Sequence, residues 1–508
     1  GTQTIEATDA VGFTLLTSKA GDVDVTSDTA SIAGGSVAAG NSASLTSATS
    51  NAGATVTATH GGVTLTAGSL AAPSASASTD WTNVNAGTSL AATSGGALTL
   101  TTTNSSGTQT IEGAGAVGFG SLTAKVRGDI FVTSDAGAIA GGSVAADGSA
   151  KLISATSNSG ASVVATNGDA DVEAGTLLSW SSVSAPKGNA TVVAGTGDLT
   201  IESVTAGGAA HLEATAGNIL PVDANATLIS SSLTLTASEN IGIAPVAPST
   251  IATPFSFTLG AGGVLSGSAG GSAWLTSADA VNVTTFSVGN VLSLTAGGEL
   301  RVETVLTPTI VDGAISSANG PVTLRAASFS MDSGAGVSAG GDILISATGD
   351  VTLGKVTSAS ADTTGNVIDI EAGAASLGAV VTAGKGSILG NGDAGAGIAD
   401  ANTGVWGLLN AGVAIGPLSV GLSNLNATAD TGDLSLQQTA ALHAATLSAV
   451  AGGVDVEGAS ALTLDSVTAD TTFTAKSTAS SVTIGSATSD GTETIEAYLG
   501  LGYTTLKT

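Results

Sequence analysis

Asp22-Val-Asp-Val-Thr26 and Gly62-Val-Thr-Leu-Thr66 alternate strictly between apolar and polar side chains. Period-two alternation marks a half-buried strand, because successive side chains leave a pleated backbone on opposite faces. The same pattern returns in Ala54-Thr-Val-Thr-Ala58, Ala97-Leu-Thr-Leu-Thr101, Ser232-Leu-Thr-Leu-Thr236, Val291-Leu-Ser-Leu-Thr295 and Asp342-Ile-Leu-Ile-Ser346. Gly-Gly, Gly-Asp, Asn-Gly and Ala-Gly pairs stand between the runs and supply the backbone freedom that tight turns need. No stretch shows the 3.6-residue periodicity or the capping boxes of a long helix.

Equivalent apolar positions, Ile5 and Val25 or Leu45 and Leu65, lie 20 residues apart. That is about one coil of a parallel β-helix. The spacing predicts an all-β, right-handed parallel β-helix (β-solenoid) with roughly 20 residues per coil. It also predicts that residues 1–508 form a single continuous solenoid, an elongated rod of about 24 coils. One coil cannot bury its apolar face alone, so each is stabilised by its neighbours.

A longer repeat is laid over this short one. Gly1-Thr-Gln-Thr-Ile-Glu6 recurs at Gly107 to Glu112, and Gly491-Thr-Glu-Thr-Ile-Glu-Ala497 is a near copy. Ala10-Val-Gly-Phe13 answers to Ala116-Val-Gly-Phe119. Ser31-Ile-Ala-Gly-Gly-Ser-Val-Ala-Ala39 answers to Ala138-Ile-Ala-Gly-Gly-Ser-Val-Ala-Ala146. Copies therefore occupy 1–106 and 107–200, and a third starts at 491. The hexapeptide reads as a strand and Ala-Val-Gly-Phe as the turn after it. The copies shift by one residue at Arg127, and Trp81 and Trp180 realign after a deletion in copy two. Indels of this kind belong in loops, since a residue added within a strand flips every later side chain. Alternation is weaker at 240–257, 304–321 and 390–426, which read as loops or distorted coils. The uncharged stretch 401–429 is punctuated by Gly and Pro417, and reads as a buried part of the solenoid, not a membrane span.

Composition narrows the function. The chain carries 39 acids against 11 Lys and Arg, a net charge of −28, which repels polyanions and disfavours nucleic acid and anionic lipid. Basic proteins, neutral glycans and divalent cations are the partners such a surface suits. There is no cysteine, hence no disulfide framework and no thiolate metal site. The first twenty residues lack a basic segment followed by an apolar one, so any signal peptide is expected outside this chain.

Leu292-Ser-Leu-Thr-Ala-Gly-Gly-Glu-Leu-Arg-Val302, Gly340-Gly-Asp-Ile-Leu-Ile-Ser-Ala-Thr-Gly-Asp-Val-Thr-Leu353 and Val204-Thr-Ala-Gly-Gly-Ala-Ala-His-Leu212 resemble the filamentous-haemagglutinin class of large bacterial exoproteins. The resemblance covers nearly the whole chain and lies in style, without a diagnostic motif. It implies a secreted or surface-attached β-helical fibre, commonly exported by an outer-membrane partner, that serves in cell attachment, aggregation or biofilm. The amino-terminal secretion domain of that class is not recognisable, so the chain resembles an internal segment of the shaft. The implied partners are surface proteins or glycans of a host or neighbouring cell. A filament protomer stacking end to end on its own copies is the first alternative, and a polysaccharide-processing β-helix enzyme is the second.

Arg127-Gly128-Asp129 resembles the integrin-binding tripeptide and is the candidate receptor-binding site, although Gly-Asp is also the ordinary turn here, as at Gly21-Asp22. Outward acids in Asp169, Asp171 and Glu173, in Asp369 and Glu371, and in Asp455 and Glu457 could hold Ca²⁺ or simply keep the surface solvated. No cofactor or catalytic set is expected: Glu299, Arg301 and Glu303 read as a surface ion-pair cluster, and His60, His211 and His443 lack metal or triad spacing. Trp81, Trp180, Trp274 and Trp406 read as core or coil-edge packing, with sugar stacking as the alternative.

Overall fold

The computed structural model describes residues 1–245, 252–303, 314–374, 385–393, 396–400, 402 and 404–507. The chain divides into two units, Gly1–Ile243 and Ala244–Thr508. Both are parallel β-solenoids with about 20 residues per turn, about 24 coils between them, and no helix is present among the described residues.

In the first unit, as far as Leu199–Ala206, each coil is a five-residue strand, a turn, a strand of eight or nine residues, and a second turn; beyond it the short strand has six residues and the long one is split into Ile219–Pro221 and Thr227–Ser230. Val23–Ser27 leads to Ile32–Ala39, then Ala43–Ser47 to Ser50–Ala58. Every strand pairs in parallel with its counterpart one coil on. The expected ladder is present, running Ile5, Val25, Leu45, Leu65. Alternation turns Val23, Val25, Leu45 and Leu65 wholly inward. The last inward position of the short strand is often Ser, whose hydroxyl satisfies a nearby backbone carbonyl, in two cases a turn carbonyl of the preceding coil. Ser27 Oγ donates to Asp9 O and Ser134 Oγ to Gly115 O, each at 2.8 Å.

The long repeat has a packing cause. One inward ladder of the longer strands reads Phe13, Gly34, Gly53, Trp81, Leu100, Phe119, Gly141, Gly160, Trp180. The two glycines leave the space that the flanking Phe and Trp fill from either side. A Cβ at Gly34 would lie 2.1 Å from the Phe13 ring, and one at Gly141 2.2 Å from the Phe119 ring. Each indole also has a buried partner: Trp81 Nε1 donates to Asn51 Oδ1 at 3.3 Å, and Trp180 Nε1 to Asn158 Oδ1 at 3.0 Å. Those amides donate in turn to strand carbonyls, Asn51 to Leu45 O at 2.7 Å and Asn158 to Glu173 O at 3.0 Å. The set Phe-Gly-Gly-Trp with its Asn works only when kept together across coils, so it recurs as a block.

The indels fall in connections, as expected. The residue gained near Arg127 lies between Val117–Ala124 and Ile130–Ser134. The residues lost from copy two match the link between Val63–Ala67 and Ser78–Ala86. Ala-Val-Gly-Phe is no turn, however. Val11 and Val117 begin strands, and Phe13 and Phe119 are the third residues of those strands.

In the second unit the two sheets exchange roles. One carries the short strands Ala273–Ser277, Leu292–Ala296, Val322–Ala326 and Ile343–Ala347, and later the eight-residue Leu442–Ala449, Leu462–Ala469 and Val482–Ser489. The exchange passes through Asn366–Ala372, Trp406–Ala411 and Asn424–Ala429, where the ladder shifts register at Asn366/Ile368 and Leu425/Asn426. Of the two readings of 390–426, the described residues bear out distorted coils and not loops: Gly397–Asp400, Trp406–Ala411 and Ile415–Gly421 all pair. The bulges, not missing strands, blur the alternation there. Val405, Leu409, Ile415 and Leu418 are buried, as the reading of 401–429 requires. Of the expected irregular stretches 240–257 and 304–321, residues 246–251 and 304–313 lie outside the described residues.

Candidate functional site

Arg127-Gly128-Asp129 sits at a turn that leaves the longer strand of one coil for the short strand of the next. The N–H of Gly128 donates to Lys125 O at 3.0 Å and closes a turn centred on Val126 and Arg127. Their φ angles are 52° and 61°, the left-handed region at both central positions, which is type I′ geometry and favours Asn-Gly. Val126 and Arg127 are exposed, Gly128 is buried and Asp129 is half-buried. Asp129 Oδ1 accepts the N–H of Ser149, one coil on, at 2.7 Å, and the N–H of Arg127 donates to Asp147 Oδ2 at 2.5 Å.

The bond to Asp129 explains why Gly-Asp is the common turn. Asp22 accepts the N–H of Ser42 at 3.0 Å and the amide of Asn41 at 2.6 Å, which together hold its carboxyl below the usual range. Asp169 accepts from Asn189 N–H at 2.7 Å, and Asn189 Oδ1 accepts from Ala209 N–H at 2.9 Å. In the second unit Asp433 accepts from Gly453 N–H and Asp350 from Ser387 N–H, both at 2.8 Å. Each side chain satisfies a backbone donor that the next coil's turn would otherwise leave open. A receptor reading the tripeptide therefore meets an exposed arginine and a carboxylate with one oxygen already engaged.

The outward acids fall into two kinds. Asp171 pairs with Lys151 across coils at 2.5 Å, with Glu173 at 3.5 Å from the same ammonium. Asp369 has no such partner among the described residues. It stands between Leu344 and Leu408 on the neighbouring strands, one of its oxygens is buried and unbonded, and burial, then Glu371, push its carboxyl up to about 6. Asp455 beside Glu457 is raised by the same two causes.

The fragment Gly390-Asn-Gly-Asp393 is arranged against a cation. Asp393 faces donors: the N–H of Gly334 at 2.9 Å, Ser333 Oγ at 2.7 Å and the Asn391 amide at 3.0 Å, which hold its carboxyl low. Among the described residues no group of three or more His, Asp or Glu is placed to hold a metal. Arg301 pairs with both oxygens of Asp332, at 2.9 and 3.1 Å, and lies 3.6 Å from Glu303. It is an ion-pair cluster, as read from the sequence, joined by a residue from the next coil.

The tryptophans separate. Trp81 and Trp180 are core, whereas Trp274 and Trp406 point outward from their strands and are half-buried. Trp406 meets the ring of His443 edge to face, with centroids 5.8 Å apart. His443 stands between two acceptors, Asn424 Oδ1 at 3.1 Å and Asp465 Oδ2 at 2.7 Å, and Asn424 Nδ2 donates to Val405 O at 3.2 Å, fixing that amide. His60 and His211 do no comparable work: His60 Nδ1 bonds Gly40 O at 2.7 Å and His211 lies 3.2 Å from Glu213. Along the sequence His443 shows no metal or triad spacing. Its signal was the spacing of 406, 424, 443 and 465, each roughly one coil from the next. No family model, curated protein or solved structure matches this chain.

Proposed function

We propose that this chain is the β-helical shaft of a bacterial adhesin or surface fibre, outside the cell, serving attachment, aggregation or biofilm by reach and display. The observation that supports this reading most is repetition, coil stacked on coil in register. Coil after coil presents Ser and Thr outward, and the turn Asp residues are spent on bracketing one coil to the next. Such a surface resists proteolysis and sets a distance, which is what a shaft contributes. Imaging the purified chain tests it. Discrete rods of uniform length support the shaft, and continuous fibres favour end-to-end assembly instead.

A second reading, glycan processing, draws on Asp369. A carboxyl raised to about 6 beside a second carboxylate, Glu371, is what general acid catalysis near neutral pH asks for. Release of reducing ends from a polysaccharide, lost in Asp369→Asn, would establish it over the shaft. An unchanged polymer after prolonged incubation removes it.

A further inference from the structure

We propose that the outer sheet face formed by Asn366–Ala372, Trp406–Ala411, Asn424–Ala429 and Leu442–Ala449 binds a polysaccharide bearing free amino groups. The inference goes beyond the shaft reading and holds with or without it. Elsewhere on these solenoids the outward rows are mostly Ser and Thr. Here they carry an aromatic ring, amides and carboxylates together: Asp369, Glu371, Trp406, Asn410, Asn424 and His443, all half-buried.

Each group matches one element of the ligand. A half-buried indole offers its apolar surface to the C–H face of a pyranose ring. Asn424 stands beside it on the next strand, its amide held by Val405 O and His443, and Asn410 lies four residues along Trp406's own strand, where its amide suits a sugar hydroxyl. Asp369 and Glu371 lie one strand below, and strand geometry puts Asp369 roughly 8 Å from Trp406 along the diagonal. That separation suits a ring stacked on the indole with its substituent, or the next ring, at the carboxylates.

Charge selects the occupant. These four strands and the following Leu462–Ala469 contain no Lys or Arg. Asp369 and Glu371 therefore meet no Lys or Arg on their own or the adjoining strands; the nearest in register is Arg325, two strands below Glu371 in the same outward row. A polyanion is repelled, a neutral glycan leaves the pair unanswered, and an ammonium-bearing sugar complements it.

Isothermal titration of the full chain at low salt with a short glucosamine oligomer, its fully N-acetylated counterpart and a polyuronate tests the assignment. The glucosamine oligomer should bind roughly tenfold tighter than the acetylated one, and the polyuronate should give no binding heat. Trp406→Ala should weaken binding by roughly tenfold or more, while Trp406→Phe, which keeps a ring, and Trp274→Ala, at the other outward indole, should bind like the parent. Asp369→Asn with Glu371→Gln should erase the preference for the free amine, and Asp455→Asn with Glu457→Gln should leave it. Absence of binding, equal affinity for the acetylated oligomer, or indifference to Trp406→Ala would overturn the proposal. So would loss of the preference in the Asp455/Glu457 variant, which would reduce the effect to general acidity.

Discussion

The indole of Trp81 closes over the bare backbone of Gly53, one coil below: a Cβ built on that glycine would sit 2.3 Å from the ring atoms Cη2 and Cζ3. Gly160 stands in the same relation to Trp180, also at 2.3 Å. Volume in this interior is shared between coils and not balanced within each one, as close packing demands when rung sizes differ this much.

Gly53→Ala is therefore expected to destabilise the first unit by about 1–3 kcal/mol, because a buried, hydrogen-bonded indole must move. Thermal melting followed by tryptophan fluorescence reads the loss. Gly12→Ala, where the nearest atom would be 4.0 Å away, should be close to neutral. Leu100 occupies the next rung of the same ladder, so adding Trp81→Leu to Gly53→Ala should recover part of the loss. A Gly53→Ala protein that melts like the parent would show that the ring is free to shift.

Val126 and Arg127 make the opposite case, a site where substitution should help. Both central residues of the turn have positive φ, and a β-branched side chain is poorly suited to that region. Val126→Asn with Arg127→Gly supplies type I′ chemistry and should raise stability by about 1 kcal/mol. An unchanged or lower melting temperature would mean that the turn has another geometry in solution.

Most of the architecture could be read from the chain because solenoid pairing is local in register. A 20-residue spacing of Val, Leu and Ile fixes which side chains stack, and Ile5, Val25, Leu45 and Leu65 do so. Phe13 and Phe119 misled, since Gly12 and Gly118 imitate a turn although each lies inside a strand, with open space where a side chain would be. At 390–426 bulges break period two while leaving the strands paired, so alternation alone did not separate a loop from a distorted coil. The Trp406, Asn424, His443 and Asp465 cluster was hidden because its members never come within one coil of sequence. Only stacking brings them together.

Asp169 separates the charge of a turn carboxylate from its role as an acceptor. Asp169→Ala strands the N–H of Asn189 and should cost about 0.5–1.5 kcal/mol. Asp169→Asn keeps an acceptor oxygen and should cost clearly less, since Asn189 already performs the same task for Ala209. Denaturant melts of the two variants decide this, and equal losses would assign the effect to charge.

Asp369 gives the protein a pH dependence opposite in sign to that of a bracketed turn acid. Its carboxyl is raised from 3.8 to about 6 in the folded chain, chiefly by burial and further by Glu371. The folded state therefore binds this proton more tightly than the unfolded one. The stability it contributes is complete below pH ~4 and is lost as pH rises through ~6. Asp369→Asn removes the ionisation and keeps the shape, so the variant should match the parent near pH 4 and exceed it at pH 7. At 1.36 kcal/mol per pKa unit the ceiling is about 3 kcal/mol, and residual solvent access brings the expected gain to about 1–2 kcal/mol. Melting curves of both proteins across pH 4–8 check the sign as well as the size. A variant less stable than the parent at pH 7 would mean that the ionised carboxylate has a partner in solution, and the burial argument would fail.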